Sequence, residues 1–191
     1  MSPPPIVLAS ASPRRRELLK QLGVQFTVAH PDIDETPLPG EAAVPYVRRL
    51  AVEKAHAVEA ALGSLVIAAD TTIDLGGDIL GKPVDGDEAR SMLRRLSGRT
   101  HRVHTGLALR LGDRTVAETI SSLVTFSPLT PAMIEWYIGL GEPLGKAGAY
   151  AVQGAGGVFV ERVRGSVSNI VGLPLHTLFR LATDLNIQLL S

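Results

Sequence analysis

No cysteine occurs among the 191 residues, which excludes a disulfide, a thiolate nucleophile and a cysteine-ligated metal site. Aromatic residues make up only 4% of a chain that is 45% hydrophobic, so its core has to be aliphatic, built from Leu, Val, Ile and Ala. Neither sign of charge is in excess: nineteen Lys and Arg balance nineteen Asp and Glu. That balance argues against a general nucleic-acid binder, while leaving room for a local basic pocket that takes a small anion. No apolar run approaches the ~18 residues of a membrane-spanning helix. The opening Met1-Ser2-Pro3-Pro4-Pro5 lacks the basic start and apolar stretch of a secretory signal, and Pro3–Pro5 is the one low-complexity stretch. The expectation is a cytoplasmic protein without nucleic-acid or membrane partners. No shift in composition marks a linker, so residues 1–191 read as a single domain.

What is present is an alternation of strand and helix signals. Ile6–Ala9 reads as a buried strand, followed by a helix with Ser12 as N-cap, Pro13 at its first position, Leu18, Leu19 and Leu22 on its apolar face, and Gly23 as its stop. Gln25–Ala29 is a second strand. His30–Gly40, with Pro31, Pro37 and Pro39 among Asp32, Asp34 and Glu35, is a loop. From Ala43 to about Leu62 the residues Val47, Leu50, Ala51, Val58 and Leu62 recur at helical spacing. Leu65–Ala69 is a buried strand reaching Asp70, continued by Thr71–Leu75 and turned back at Gly76-Gly77. Asp87–Leu96 is a helix. Val103–Leu111 and Thr115–Phe126 form a hairpin about Gly112-Asp113, and Thr130-Pro131 opens a helix to about Leu140. Gly141–Gly157 is loop, Val158–Val163 a strand and Leu173–Leu185 a final helix. The class is α/β with a mixed sheet.

Five features carry chemistry. Arg14, Arg15 and Arg16 stand in the first turn of a helix, where each cation opposes the helix dipole by about 0.3–1 kcal/mol when exposed; an anion such as a triphosphate would offset them. Asp70 leaves a buried strand where α/β proteins place ligands. Asp32, Asp34 and Glu35 are hard oxygen donors suited to Mg²⁺ or Mn²⁺. Lys82, between Gly81 and Pro83, can aim a point charge at a phosphate, and Lys54 lies on a helix. Gln153-Gly154-Ala155-Gly156-Gly157 is rich in glycine but matches neither a P-loop nor a dinucleotide fingerprint. Taken singly, each also fits a plainer reading: a solvated basic helix start, a capping Asp, an acidic loop, a solvated lysine and a flexible turn. His101 and His104, three apart on a strand, point to opposite faces and make no metal pair. Ser10, Ser12 and the five histidines form no recognisable nucleophile motif.

The order of these signals resembles the Maf family over nearly the whole chain. The matching stretches are Leu8-Ala9-Ser10-Ala11-Ser12-Pro13-Arg14-Arg15, Arg49-Leu50-Ala51 with Lys54-Ala55, Ala69-Asp70-Thr71, Leu80-Gly81-Lys82-Pro83, Leu96-Ser97-Gly98, Thr105-Gly106, Lys146-Ala147-Gly148-Ala149-Tyr150, Gln153-Gly154, and Val171-Gly172-Leu173-Pro174-Leu175. The resemblance implies an elongated mixed β-sheet flanked by helices, two lobes about a central cleft, related in shape to inosine triphosphate pyrophosphatases and often dimeric. It implies metal-dependent hydrolysis of a nucleoside triphosphate to the monophosphate and pyrophosphate, limiting incorporation of non-standard nucleotides. By the same resemblance Asp70 accepts a proton, Ser10, Arg14, Arg15, Lys54 and Lys82 bind substrate, and Glu35 with Asp70 holds Mg²⁺ or Mn²⁺. A free aspartate, with a pKa of about 4, is a poor base for bulk water, but a bound cation makes its water far easier to deprotonate.

By the same resemblance, Arg14, Thr71 and Gln153 stand at the positions that separate two subclasses of the family. The type acting on 7-methyl-GTP has an aromatic, a Gln and a Glu there, suited to a cationic purine whose guanine edge offers two N–H donors. Gln153 instead offers one donor and one acceptor, which match the N3–H and carbonyl of uracil or thymine. The resemblance therefore points to dTTP and UTP, with modified pyrimidines within reach. A 7-methyl-GTP enzyme, or a non-catalytic regulator of septum formation, is the alternative.

Overall fold

The computed structural model describes residues 4–189. Met1-Ser2-Pro3, the start of the segment weighed above as a signal, lies outside the described residues, as do Leu190 and Ser191. Among the described residues, seven strands form one mixed sheet in the order β2-β1-β3-β5-β6-β7, with β4 paired to β3 off that path. Strand β1 (Ile6–Ala9) runs parallel to β2 (Thr27–Ala29) and to β3 (Leu65–Leu75). These parallel pairs need crossovers. Helix α1 (Pro13–Gln21) supplies the first and α2 (Ala43–Ala57) the second. The remaining pairs are antiparallel, from β4 (Asp78–Leu80) and β5 (Thr100–Leu111) to β6 (Arg114–Phe126) and β7 (Val160–Arg164).

Side-chain alternation along the strands sorts the aliphatic residues onto two faces. Ile6, Leu8, Leu65, Ile67, Ala69, Leu107 and Leu109 pack under α1 and the last helix, α6 (Leu175–Asp184). Val7, Ala9, Val66, Ala68 and Ala108 pack under Ala51 and Ala55 of α2. A separate cluster beyond the hairpin joins α3 (Gly86–Leu96) and α4 (Pro131–Gly139) to Ile73, Val103, Phe126 and the fully buried Tyr137. Burying each Leu, Ile or Phe completely is worth about 1.5–3 kcal/mol, so the aliphatic core expected from composition is sufficient.

The structure departs from the sequence reading at several points. Helix α2 ends at Ala57, and Leu62, read as part of its apolar face, is fully exposed. Ser12 occupies the N-cap position of α1 but its side chain makes no capping bond; its own N–H donates instead to Ser10 Oγ at 3.2 Å. Asp70 does not leave a strand: β3 runs on through it without a break. Val158 belongs to a 3₁₀ turn ahead of β7. A short helix, α5 (Val167–Val171), lies between the expected strand and the last helix, where the sequence suggests no element; it is capped by Ser166 on the Asn169 N–H and closed by Gly172 in the left-handed region at φ 119°.

His101 and His104 do take different surroundings. His101 Nε2 bonds the Tyr150 hydroxyl at 2.8 Å, and its ring packs edge-on against Phe126, whereas His104 Nδ1 bonds Ser121 Oγ at 2.7 Å. Burial pushes the pKa of His101 down to about 4. Below pH ~6.5 the unfolded chain binds a proton that the folded chain refuses, so stability falls as pH drops from about 6.5 to about 4. The expected loss is on the order of 3 kcal/mol across that window. Urea unfolding at pH 7 and pH 4.5 measures it, and His101→Gln should flatten the dependence; an unchanged slope in that variant places the titration elsewhere.

Candidate active site

Strand β3 carries two consecutive polar residues that face opposite ways. Asp70 shares the face of Val66 and Ala68 and meets α2; Thr71 shares the face of Ile67 and Ala69 and meets α1. On the α2 side, Lys54 Nζ lies 2.6 Å from Asp70 Oδ1 and 2.7 Å from Glu35 Oε1. Lys54 is buried at 6% exposure, against the solvated lysine that its place on a helix suggested. Its neighbours explain why. Val47, Leu50, Ala51 and Ala55 define the buried stripe of α2, and position 54 falls within that stripe at i+7, i+4 and i+3 from the first three. A cation forced into the interior must be paired, and two carboxylates do so.

Glu35 comes from the acidic loop and is pinned from α2, where the Tyr46 hydroxyl donates to the Glu35 carbonyl at 2.8 Å. Lys82 Nζ stands 4.0 Å from the other carboxylate oxygen of Glu35 and is largely exposed. Burial pushes the Glu35 pKa up, but the hydrogen bond and charge of Lys54, with Lys82 and Arg15 adding to them, outweigh it and hold Glu35 below the usual carboxylate value. The other acids of the loop do not join it: Asp32 and Asp34 are exposed, and Asp34 accepts from the Thr36 N–H at 2.8 Å.

On the α1 side, Arg15 reaches inward. Its Nε donates to the Gly172 carbonyl at 2.7 Å, Nη1 to Ser10 Oγ at 3.2 Å, and Nη2 to Thr71 Oγ1 at 3.1 Å. Thr71 Oγ1 also lies 2.9 Å from Thr105 Oγ1. Burial pulls the Arg15 guanidinium below its ordinary pKa, while Asp70 and Glu35 raise it and Arg14 lowers it further. Part of the negative charge that the basic helix start requires is therefore supplied from within the protein. Arg14 is half-buried; burial lowers its pKa too, and Tyr137 and Glu142 push it back up. Arg16 stands apart from the site.

These elements enclose a cleft of about 560 Å³, lined by Ser10, Arg14, Arg15, Glu35, Lys54, Asp70, Thr71, Lys82 and Gln153. Every residue expected to act is on that wall, and the volume suits a small organic ligand. Asp70, Glu35, Lys54 and Lys82 form one linked group on that wall. The wall also carries Arg14 and Gln153, with Lys146, which the sequence offers only as part of a motif. Burial lowers the Lys146 pKa, Arg14 lowers it further and Glu142 opposes them. Lys146 Nζ donates to the Glu142 carbonyl, so the cation is anchored beside the cleft. The glycines around Lys146 were the signal that could have drawn notice to it.

Among the described residues no three His, Cys, Asp or Glu side chains gather about one point. Mg²⁺ usually takes one or two carboxylates and completes its shell with water and phosphate oxygens. Asp70 and Glu35, already converging on one cation, fit such an ion together with a phosphate ligand. No helix among the described residues is long and apolar enough to cross a membrane.

A family model described as Maf-like protein matches residues 5–185. A dTTP/UTP pyrophosphatase of Myxococcus xanthus is 58% identical over 171 residues, covering 89% of this chain and 87% of the relative. A dTTP/UTP pyrophosphatase of Hahella chejuensis is 52% identical over 190 residues, covering 97% and 94%. Among solved structures, the Staphylococcus aureus Ham1 protein aligns with 63% of this chain and 71% of its own at 18% identity and a TM-score of 0.45.

Proposed function

The chain belongs to the Maf-like protein family, and from that premise we propose that it hydrolyses dTTP and UTP to the nucleoside monophosphate and pyrophosphate, in the cytoplasm. The observation that carries the reading is the Asp70–Lys54–Glu35 cluster in a cleft that Gln153 and Arg14 also line.

In this reading the triphosphate lies along Ser10, Lys54 and Lys82, whose donors and charges offset those of the phosphates. Arg15 holds Ser10 and Thr71 in place through its hydrogen bonds. Asp70 accepts the proton of the attacking water. The water oxygen bonds to the α-phosphorus, the bond from that phosphorus to the α–β bridging oxygen breaks, and its electron pair leaves on the departing pyrophosphate. A divalent cation, Mg²⁺ or Mn²⁺, held by Asp70 and Glu35 would supply a more acidic water and neutralise charge on the phosphates. Lys54, within 2.7 Å of both carboxylates, offsets their mutual repulsion. Gln153 pairs its amide with N3–H and a carbonyl of the pyrimidine, and Arg14 completes the base site.

Pyrophosphate release from dTTP, UTP, CTP, GTP and 7-methyl-GTP, with Mg²⁺ or Mn²⁺, tests the proposal. Turnover is expected to be fastest with dTTP and UTP. Gln153→Glu should move preference toward the methylated guanine, because its carboxylate accepts from both guanine donors. The loss of a matched buried hydrogen bond discriminates by up to about 10⁴-fold, so the shift is easily read. Fastest turnover of 7-methyl-GTP by the unaltered protein would overturn the base assignment, and no release from any nucleotide would overturn the activity.

A further inference from the structure

The glycine-rich turn Gln153-Gly154-Ala155-Gly156-Gly157 is already filled by an anion of the protein itself. Glu142 Oε2 accepts from the Ala155 N–H at 3.0 Å, and Oε1 accepts from the Gly156 N–H at 3.2 Å. The same Oε1 accepts from the Tyr137 hydroxyl at 2.8 Å, and that hydroxyl oxygen in turn accepts from the Ala151 N–H at 3.1 Å. Backbone amides on both sides of Gln153 are thus fixed to one carboxylate–phenol pair. The pair rests on a rigid base, since Tyr137 is fully buried on α4 with its ring edge-on to Phe159. The glycines serve this approach. A Cβ at Gly154 would overlap the Glu142 carboxylate, and one at Gly156 would lie 2.6 Å from the Tyr137 oxygen. The free N–H groups that make such turns look like phosphate cradles are taken here, so the turn presents a side chain and not its backbone to the cleft.

We propose that Glu142, braced by Tyr137, is a positioning residue for base selection, holding Gln153 at a fixed height in the cleft through the Ala151, Ala155 and Gly156 amides. The inference rests on the reading of Gln153 as the residue that meets the base. It goes beyond that reading in assigning the discrimination to two residues that do not themselves meet the nucleotide. A hydrogen-bonding amide discriminates only as well as it is placed, and a misplacement of about 1 Å can cost a hundredfold.

Tyr137→Phe tests it with the ring packing kept, because it removes the hydroxyl that joins Glu142 to Ala151. The ratio of kcat/KM for UTP over GTP should fall on the order of tenfold, within the range that misplacement allows, mainly through a higher KM for UTP. Inhibition by inorganic tripolyphosphate, which engages only the phosphate end, should keep its wild-type constant. Amide hydrogen exchange over residues 151–157 should quicken. Glu142→Ala should lower the ratio further, and Glu142→Gln, which retains one acceptor oxygen, should fall between. An unchanged ratio in Tyr137→Phe and Glu142→Ala, with the unaltered protein still preferring UTP, overturns this inference alone. Equal losses for UTP, GTP and tripolyphosphate also overturn it, since they mark a general structural role. No preference in the unaltered protein instead removes the base reading on which the inference stands, and the inference with it.

Discussion

Asp70→Asn is expected to lower kcat for pyrophosphate release from dTTP by roughly two to four orders of magnitude, the range that a positioned general base contributes. The substitution is nearly isosteric, so what it removes is the charge and the proton acceptor. The Asn oxygen can still accept from Lys54 Nζ, which also keeps Glu35 at 2.7 Å. The cation of α2 is therefore not stranded, and the folded state should survive with its packing intact. The contrast between a collapsed rate and a retained unfolding transition is the signature sought. Circular dichroism during heating and a coupled pyrophosphate assay, run on the same preparation, give both quantities. Activity within tenfold of the unaltered protein would mean that the proton leaves by another route and that Asp70 serves Lys54 alone.

The second large effect is expected at a residue with no side chain of its own, Gly106. Gly106 on β5 is the register partner of Asp70 on β3. A Cβ there would overlap the Val47 carbonyl and lie 2.8 Å from the Arg48 nitrogen. The obstruction is helix backbone, which cannot rotate away as a side chain can. Overpacking of a well-packed site costs about 1–3 kcal/mol. Because α2 would have to lift off the sheet, Gly106→Ala should fall at the upper end of that range or beyond. It should also slow catalysis in the molecules that remain folded, since α2 brings Lys54 to Asp70 and Tyr46 to Glu35. Denaturant titration measures the first effect, and kcat well below the transition temperature the second. Gly139→Ala, at a position in α4 where a Cβ meets nothing within 4 Å, is the control and should be neutral or slightly stabilising. A Gly106→Ala protein as stable and active as that control would show that the helix yields freely.

Apolar runs, and helices opened by a proline, were legible in the sequence. The hairpin β5–β6 follows from its turn at Gly112-Asp113, β1 and the start of β3 from their apolar runs, and α1 and α4 from the prolines at their starts. Helix α5 was missed because five residues, two of them Val, give too little periodicity; its Ser166 cap and Gly172 stop were the signals available. The end of α2 was misplaced because Leu62 continues the spacing after the chain has turned at Val58, whose φ and ψ are extended. In the site, resemblance gathered the residues, whereas local chemistry alone misjudged Lys54. Counting from Val47 in steps of three and four puts it on the buried face, where a lysine demands a partner. The bonds of Arg15 to Gly172, and of Glu142 to the turn at Gly154, join residues far apart in the chain, and no local pattern announces either.

Asp70 and Thr71 are neighbours in the chain, yet they serve opposite sides of the sheet, one reaching α2 and the other α1. Only the odd–even address of each residue along β3 separates the two duties. The ladder from Leu65↔Leu111 to Asp74↔Arg102 keeps that address. A single inserted or deleted codon between Leu65 and Asp70 would exchange the two addresses, turning the hydroxyl toward Lys54 and the carboxylate toward Arg15. The same change at the Gly112-Asp113 bend would alter only the length of a surface turn. Descent within this fold is thus free to lengthen its hairpin tip but confined to point substitution along its central strand.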